Sequence, residues 1–473
     1  MLWTRARAEI PLAMWIAPVF LLHAVHALGW PGVAAVYVVL LIANLVSWRG
    51  LLRAPAPLYV LLNVMIALTA SIPYALDHAV GSRIDGFAST LVFPMAVAVV
   101  DVLETRLTPG ASWGSIAYTQ HDQLPLLQLA SITGTSGIAF LVAWFASTLN
   151  WAWGGGFSTY SIDGLLTYGG VLAAVLIWGA GRIARTPTDG KTIRAAVVSF
   201  PPGFFQRGEV TRFLQGKTPS EELPRIADAV ARLQDWFLEQ TLVQARAGAQ
   251  LVIWPEVNLL VLKDDESRFI ERARQRASAE RIHLLMGMGV VEPGAKRPLE
   301  NRAVMIDARG SVLFSYLKAR LVPGWEAEAA REGRHPLPVV ETEFGRVGSA
   351  ICYDADDPHL IRAIGRGRAD LFLVPANDWK EIKHVHHRMA ILRAIENGVP
   401  MVRATSTGLS AAVDRVGRVV AVTDHFAPEA RWLNASVPVG GIRTLYARIG
   451  DGFAAACMAG LAAAIVVAVM HRG

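Results

Sequence analysis

A carboxylate, an ammonium and a thiol stand at comparable places along the second half of this chain. Glu256 follows Val252-Ile253-Trp254-Pro255, Lys318 follows Phe314-Ser315-Tyr316-Leu317, and Cys352 follows Val347-Gly348-Ser349-Ala350-Ile351. Each apolar run reads as a short strand, which puts each polar residue at a strand end or the adjoining turn. Together the three suit acyl transfer. The carboxylate takes the thiol proton as general base. The thiolate attacks an ester or amide carbonyl. The ammonium stabilises the oxyanion and holds the thiolate. Alone, each residue has a plainer reading, because a single cysteine is more often core and an isolated Lys or Glu is ordinarily solvated surface. The chain has two cysteines. The other, Cys457, lies in an apolar run and reads as a small core or lipid-facing residue.

The elements that must position these groups belong to a chain in two parts. Of its 473 residues 53% are hydrophobic and 18% charged, and the mean hydropathy is +0.36. Soluble globular proteins carry about 25% charged residues. The apolar excess lies in 10–181 and 452–470, while 190–450 has ordinary globular composition. The expected architecture is a multi-span α-helical membrane domain over 1–186, an α/β domain over 187–445 and a C-terminal membrane helix over 446–473. Candidate spans are 10–28, 33–47, 58–76, 88–103, 124–149, 165–180 and 453–470, six before the α/β domain and one after. Trp3, Trp15, Trp30, Trp48, Trp151, Trp153 and Trp178 fall near span ends, as interfacial residues do. Arg5 and Arg7 before the first apolar run, with no clean cleavage site, read as the start of an uncleaved helix. Asp101 and Glu104 read as the end of the fourth span.

The net charge of +6 comes without a basic stripe interleaved with aromatics. This argues against nucleic acid as a partner and for anionic lipid head groups. Two cysteines, one of them in a candidate membrane span, argue against a disulfide framework. The expectation is an enzyme without cofactor or metal, acting as a monomer at a membrane. The loop 106–123 is too polar and too rich in Gly and Pro for lipid contact, and it carries Trp113 and Tyr118. The small residues of 130–140 permit close helix packing or substrate contact.

The α/β part alternates in type. Strands are expected at 193–200, 251–255, 282–291, 346–353, 369–375, 401–404, 410–414 and 419–422. A hairpin is expected over 301–318 around Asp307-Ala308-Arg309-Gly310. Helices are expected at 220–247, with Ser220 as N-cap, and at 264–280, 358–365 and 384–397. The alternation points to layered sheets rather than a bundle.

Trp254-Pro255-Glu256, Tyr316-Leu317-Lys318-Ala319-Arg320-Leu321-Val322-Pro323 and Ile351-Cys352-Tyr353-Asp354 resemble the Glu-Lys-Cys signature of the nitrilase superfamily. Within it the chain is most similar to the apolipoprotein N-acyltransferase family. The likeness runs in order from about residue 88 to the end. It includes Trp113 with Tyr118-Thr119-Gln120, the segment from Ala130 to Leu141, Asn377-Asp378-Trp379, His384 to Arg388, Arg393 to Glu396, Arg403 to Gly408, and Tyr446-Ala447-Arg448.

The resemblance implies an αββα nitrilase-like domain and a catalytic triad of Glu256, Lys318 and Cys352. It further implies supporting or substrate-binding roles for Glu326, Tyr353, Asp354, Trp113, Asn377 and Arg403. The implied reaction takes an acyl chain from a phospholipid as a Cys352 thioester and passes it to the N-terminal amine of a diacylglyceryl lipoprotein. The implied location is the bacterial inner membrane, with the catalytic domain on the periplasmic side. Positive charges and a count of six preceding spans give the opposite side. Asp354 stands where the family usually has glutamate. Gly324-Trp325-Glu326 stands where it has Phe-Gly-Glu, and only 25 residues separate Glu326 from Cys352. Water in place of the amine would make the chain an amidase, and a degenerate site would leave a membrane scaffold.

Overall fold

The computed structural model describes residues 10–108, 110–187, 190–199, 204–206, 208–427 and 432–470. Trp3, Arg5, Arg7, Phe200 and residues 201–203 lie outside them. The chain divides into two compact units, Met1–Thr186 with Thr444–Gly473, and Pro187–Arg443.

In the first unit, six helices among the described residues are long and apolar enough to cross a membrane. They are Pro11–Leu28, Trp30–Ser47, Ala56–Arg83, Gly86–Leu107, Thr159–Ala184 and Gly452–Met470. The expected span over 124–149 is not one helix. It is divided into Leu124–Leu127, Ala130–Thr133 and Thr135–Gly154, with Gly134 at φ 68° between the last two. A Cβ on Gly134 would lie 2.6 Å from the Tyr446 ring, so glycine lets the chain turn against that tyrosine. Gly134, one of the small residues of this segment, therefore serves packing. Thr135–Gly154 buries most of its residues and falls outside the set of six.

Polar groups inside this unit meet each other across helices, as they must where water is absent. His26 Nε2 is 2.6 Å from Asp77 Oδ2, and Asn150 Nδ2 is 3.0 Å from His26 Nδ1. Asp101 and Glu104 do more than end a helix. They line a mainly apolar cavity of about 50 Å³ with Pro18, Tyr74 and Phe93. Asp101 accepts from Thr135 at 3.3 Å, and Glu104 accepts from Thr69.

The second unit contains two six-stranded sheets. The strands are β1 (Thr192–Val198), β2 (Leu251–Leu262), β3 (His283–Val291), β4 (Leu299–Ile306), β5 (Val312–Leu317), β6 (Val339–Thr342), β7 (Gly345–Ser349), β8 (Leu371–Ala376), β9 (Met401–Thr405), β10 (Leu409–Val413), β11 (Val419–Asp424) and β12 (Trp432–Pro438). One sheet has the order β12-β1-β2-β3-β4-β5 and the other β11-β10-β9-β8-β7-β6. Strands β2 and β3 of the first sheet pack on β8 of the second, which makes a sandwich. Helices Leu223–Arg246 and Glu266–Glu280 cover the first sheet, while Lys383–Asn397, with Pro358–Arg366 against it, covers the second. This is the αββα arrangement. Strand β3 is buried at every residue, so it reads as a continuous apolar run rather than an alternating one. Trp254, Phe237 and Phe269 fill the space between the first sheet and its helices.

Some boundaries move. The helix expected from Ser220 starts at Leu223, with Pro224 in its first turn, and Ser220 makes no cap there. Strands β6 and β12 and the short helices Glu209–Leu214 and Trp325–Ala329 were not legible in the sequence pattern.

Candidate active site

Glu256 is not at a strand end. Strand β2 continues to Leu262, and its pairing with β3 skips from Trp254↔Met286 to Leu259↔Met288. Residues 255–258 thus bulge opposite Gly287 alone, and bulges re-aim side chains in this way. Val257 adopts a left-handed φ of 53°. A Cβ on Gly287 would sit 2.1 Å from Pro255 O and 2.8 Å from Glu256 Cα, so only glycine admits the bulge.

Lys318 follows β5 directly and is 1% exposed. Its Nζ donates to Glu256 Oε1 at 2.7 Å and to Glu326 Oε1 and Oε2 at 2.9 and 3.0 Å. Asn301 on β4 donates through Nδ2 to Glu256 Oε1 at 2.7 Å and to Glu326 Oε1 at 2.8 Å. The Val322 amide adds a bond to Glu326 at 2.8 Å. Burial opposes the charge on Lys318, but Glu256 and Glu326 outweigh it and hold the ammonium well above its ordinary value.

Cys352 lies just beyond the end of β7. Residues Ala350 and Ile351 intervene, and Cys352 opens a one-turn helix, Cys352–Asp356, with a left-handed φ of 46°. An L-residue holds that conformation only when its surroundings impose it. The thiol points to Asn377 O at 3.8 Å. Burial pushes its pKa well up and the charge of Glu256 adds to this, while Lys318 opposes it. The resting group is therefore a neutral thiol that needs a base at the moment of attack.

Asp354 ties the lysine segment to the cysteine segment. Its Oδ2 accepts from Tyr316 Oη at 2.9 Å and from Ile351 N at 3.0 Å, and its Oδ1 accepts from Arg320 N at 2.7 Å. Tyr316 and Arg320 flank Lys318, and Ile351 precedes Cys352. Burial raises the Asp354 carboxyl to about 6, against the pull of Lys318 and these bonds. Neighbouring Tyr353 is buried, and burial lifts its hydroxyl to about 12.

A second charged group lies within reach of the thiol. Arg403 on β9 grips Asp378 with two bonds, Nη1–Oδ2 at 3.0 Å and Nη2–Oδ1 at 2.7 Å. His386 Nδ1 is 2.8 Å from Asp378 Oδ1. Burial opposes ionisation of Asp378, but Arg403 and His386 hold it well below the usual carboxylate range. Cys352, Asp378 and His386 bring donor atoms within 4.8 Å of one another, a spacing a small cation could use. Asp378 and His386 already make the ion pairs just described. Asn377 is exposed and accepts from Thr407 Oγ1 at 2.6 Å.

Comparison with known proteins gives two family matches. Residues 194–445 match the carbon-nitrogen hydrolase profile, and residues 1–148 match that of the apolipoprotein N-acyltransferase N-terminal domain. The chain belongs to the carbon-nitrogen hydrolase family. Within that family the pair of matches puts it with the apolipoprotein N-acyltransferases. It is 27% identical over 440 residues to the apolipoprotein N-acyltransferase of Geobacter metallireducens, covering 87% of this chain and 80% of the relative. It is 27% identical over 399 residues to that of Rhodopseudomonas palustris, covering 76% and 70%. Among solved structures, an amidase from Nesterenkonia sp. aligns over 53% of this chain and 91% of its own at 22% identity, with a TM-score of 0.42.

In this family member Glu256, Lys318, Glu326, Cys352, Tyr353, Asp354, Asn377 and Arg403 all fall in the second unit, and Trp113 falls in the first, half-buried in its loop. Sequence reasoning missed Asn301, Tyr316 and the links through Asp378 and His386. Asn301 carries no local signal that sets it apart from its charged neighbours Glu300 and Arg302 in β4.

Proposed function

We propose that the chain transfers a fatty acyl group from a membrane phospholipid to the N-terminal amine of a diacylglyceryl lipoprotein, through a thioester on Cys352. The observation that carries the reading is the shared environment of three groups: Lys318 is bonded to Glu256, and the buried thiol of Cys352 feels the charge of both. Glu256 takes the thiol proton as sulfur attacks the ester carbonyl. Lys318 stabilises the oxyanion. The lysophospholipid alkoxide leaves with the proton from Glu256. The amine then attacks the thioester, its proton passes to Glu256, and the thiol is restored. Glu326 shares the lysine charge, and Asn301 orients both carboxylates. Asp354 sets the distance between the lysine and cysteine segments.

A lipid donor is supported by the match of residues 1–148 to the N-terminal domain of the apolipoprotein N-acyltransferases and by the apolar helices there. The reading places the enzyme in the bacterial inner membrane with its catalytic unit outside. Among the described residues five of the six apolar helices come before that unit in sequence, and an odd number of crossings from a cytoplasmic side would agree with this side. Counting Thr135–Gly154 as a further crossing reverses it, so a reporter fused after Ala184 decides the point.

The test is intact-mass analysis of protein incubated with phospholipid. A fatty-acyl adduct on Cys352, released by hydroxylamine and absent from Cys352→Ala, is expected. Supplying diacylated lipopeptide should then give a triacylated product. Free fatty acid as the sole product would make the chain a hydrolase, and no adduct at all would sink the proposal.

A further inference from the structure

The charges behind the nucleophile have no part in the chemistry above, yet they are built with care. His386, on helix Lys383–Asn397, stands between two carboxylates. Its Nδ1 is 2.8 Å from Asp378 Oδ1, and its Nε2 is 3.2 Å from Asp356 Oδ2. Arg403 Nη2 is 3.3 Å from Nδ1 and pairs with Asp378 on the same side. All four residues are buried. The partners come from three segments. Asp356 ends the one-turn helix that Cys352 begins. Asp378 follows Asn377, whose carbonyl faces the thiol. Arg403 lies on β9.

We infer that His386 is a positioning residue for Cys352: by bridging Asp356 and Asp378 it holds the nucleophile turn against the loop that faces its thiol. The inference rests on the acylation of Cys352 proposed above. Cys352 keeps a left-handed backbone that its surroundings must enforce. The bridge acts at the far end of that same turn. Only the doubly protonated imidazole carries an N–H toward each carboxylate, hydrogen-bonded on the Asp378 side and at ion-pair distance on the Asp356 side. The charges also balance, with two carboxylates against one guanidinium and one imidazolium. Loss of the imidazolium proton leaves net negative charge beside a thiol that must itself become an anion.

The charged and titratable groups facing His386 include Asp356 from the nucleophile turn, Asp378 from the loop after β8, Arg403 from β9 and the Cys352 thiol, whose sulfur lies within 4.8 Å of a His386 ring nitrogen. Burial would lower the His386 pKa, but the two carboxylates raise it to about 9. Neighbouring His387 is pushed by burial down to about 4, so it does not titrate in the same range. The bridge is thus closed at neutral pH and opens on the alkaline side.

The experiment follows the rate of acyl-adduct formation on Cys352 from phospholipid between pH 6.5 and 10.5. The wild-type rate should fall above a midpoint near the His386 pKa of about 9. Asp356→Asn removes one carboxylate and should move that midpoint down by about one pH unit or more. His386→Gln should abolish the alkaline limb and slow acylation about tenfold or more at neutral pH. A wild-type rate that is level through the alkaline range, or a midpoint unmoved by Asp356→Asn, overturns the inference. Those two profiles decide the matter even where His386→Gln does not fold. Iodoacetamide labelling of the Cys352 peptide gives a readout without lipid. Both variants should label more slowly than wild type at neutral pH, and equal rates overturn the positioning role. Slower labelling in the variants of a chain that takes no acyl group would sink the transferase reading and leave the positioning role standing.

Discussion

Lys318 Nζ lies 2.7 Å from Glu256 Oε1, with the lysine 1% and the glutamate 4% exposed. At a surface such a pair would contribute about 0–1 kcal/mol. Here both charges are withdrawn from water, and removing one partner leaves the other uncompensated, at a cost of about 3–5 kcal/mol. Lys318→Met also strands Glu326. It should lower stability by about that amount in denaturant titrations, and adding Glu256→Gln and Glu326→Gln should restore part of it. A single variant as stable as wild type would refute the buried pair.

Glu256→Gln keeps the shape of the bulge and can still accept from Lys318 and Asn301 through its amide oxygen. What it loses is the base. Acylation of Cys352 should slow by about 10²–10⁴-fold, while the unfolding midpoint moves little because Glu326 still pairs the Lys318 ammonium. Equal loss of fold and activity would point to a structural role instead.

Gly287 faces the bulge that aims Glu256, and a Cβ there would overlap Pro255 O at 2.1 Å. Gly287→Ala must therefore push the bulge aside. The expected outcome is a slower acylation rate with Glu256, Lys318 and Cys352 all present, because a misplacement of about 1 Å can cost about 100-fold. A rate equal to wild type would show that the bulge does not set the position of the base.

Asp354 has its folded pKa raised from 3.8 to about 6, with burial the main cause. In this interval the folded chain holds a proton that the unfolded chain has released. Its stabilising contribution is full below pH 3.8 and is lost as the pH rises through about 6. The shift corresponds to about 3 kcal/mol. Unfolding midpoints measured from pH 4 to 7 should carry this falling component in the wild type, and Asp354→Asn should lack it. Identical slopes in the two proteins would remove Asp354 as the cause.

Much of the site was legible because its chemistry lies in residue types. Glu256, Lys318 and Cys352 stood beside apolar runs that do form β2, β5 and β7. The details of their placement were not legible. Glu256 was expected at the end of a strand, but the strand runs on past it. A bulge depends on which residue stands opposite, and Gly287 is 31 residues away. Asp354 was the departure from the family pattern nearest the nucleophile. Its three hydrogen bonds to Tyr316, Arg320 and Ile351 give the shorter side chain a full set of partners. The span expected over 124–149 failed for a similar reason, since Tyr446 packs on Gly134 from more than 300 residues along the chain.

Local sequence determined the apolar and globular parts of the chain, the type of most elements and the three groups fit for acyl transfer. Those properties follow from hydrophobic periodicity and from functional groups that each residue carries by itself. Tertiary structure alone decided that Asn301, Glu326 and Lys318 share one buried network, and that His386 joins the turn of Cys352 to the loop of Asn377. Such networks depend on burial and on contacts between distant strands, which set both the strength of each charge and the groups it meets.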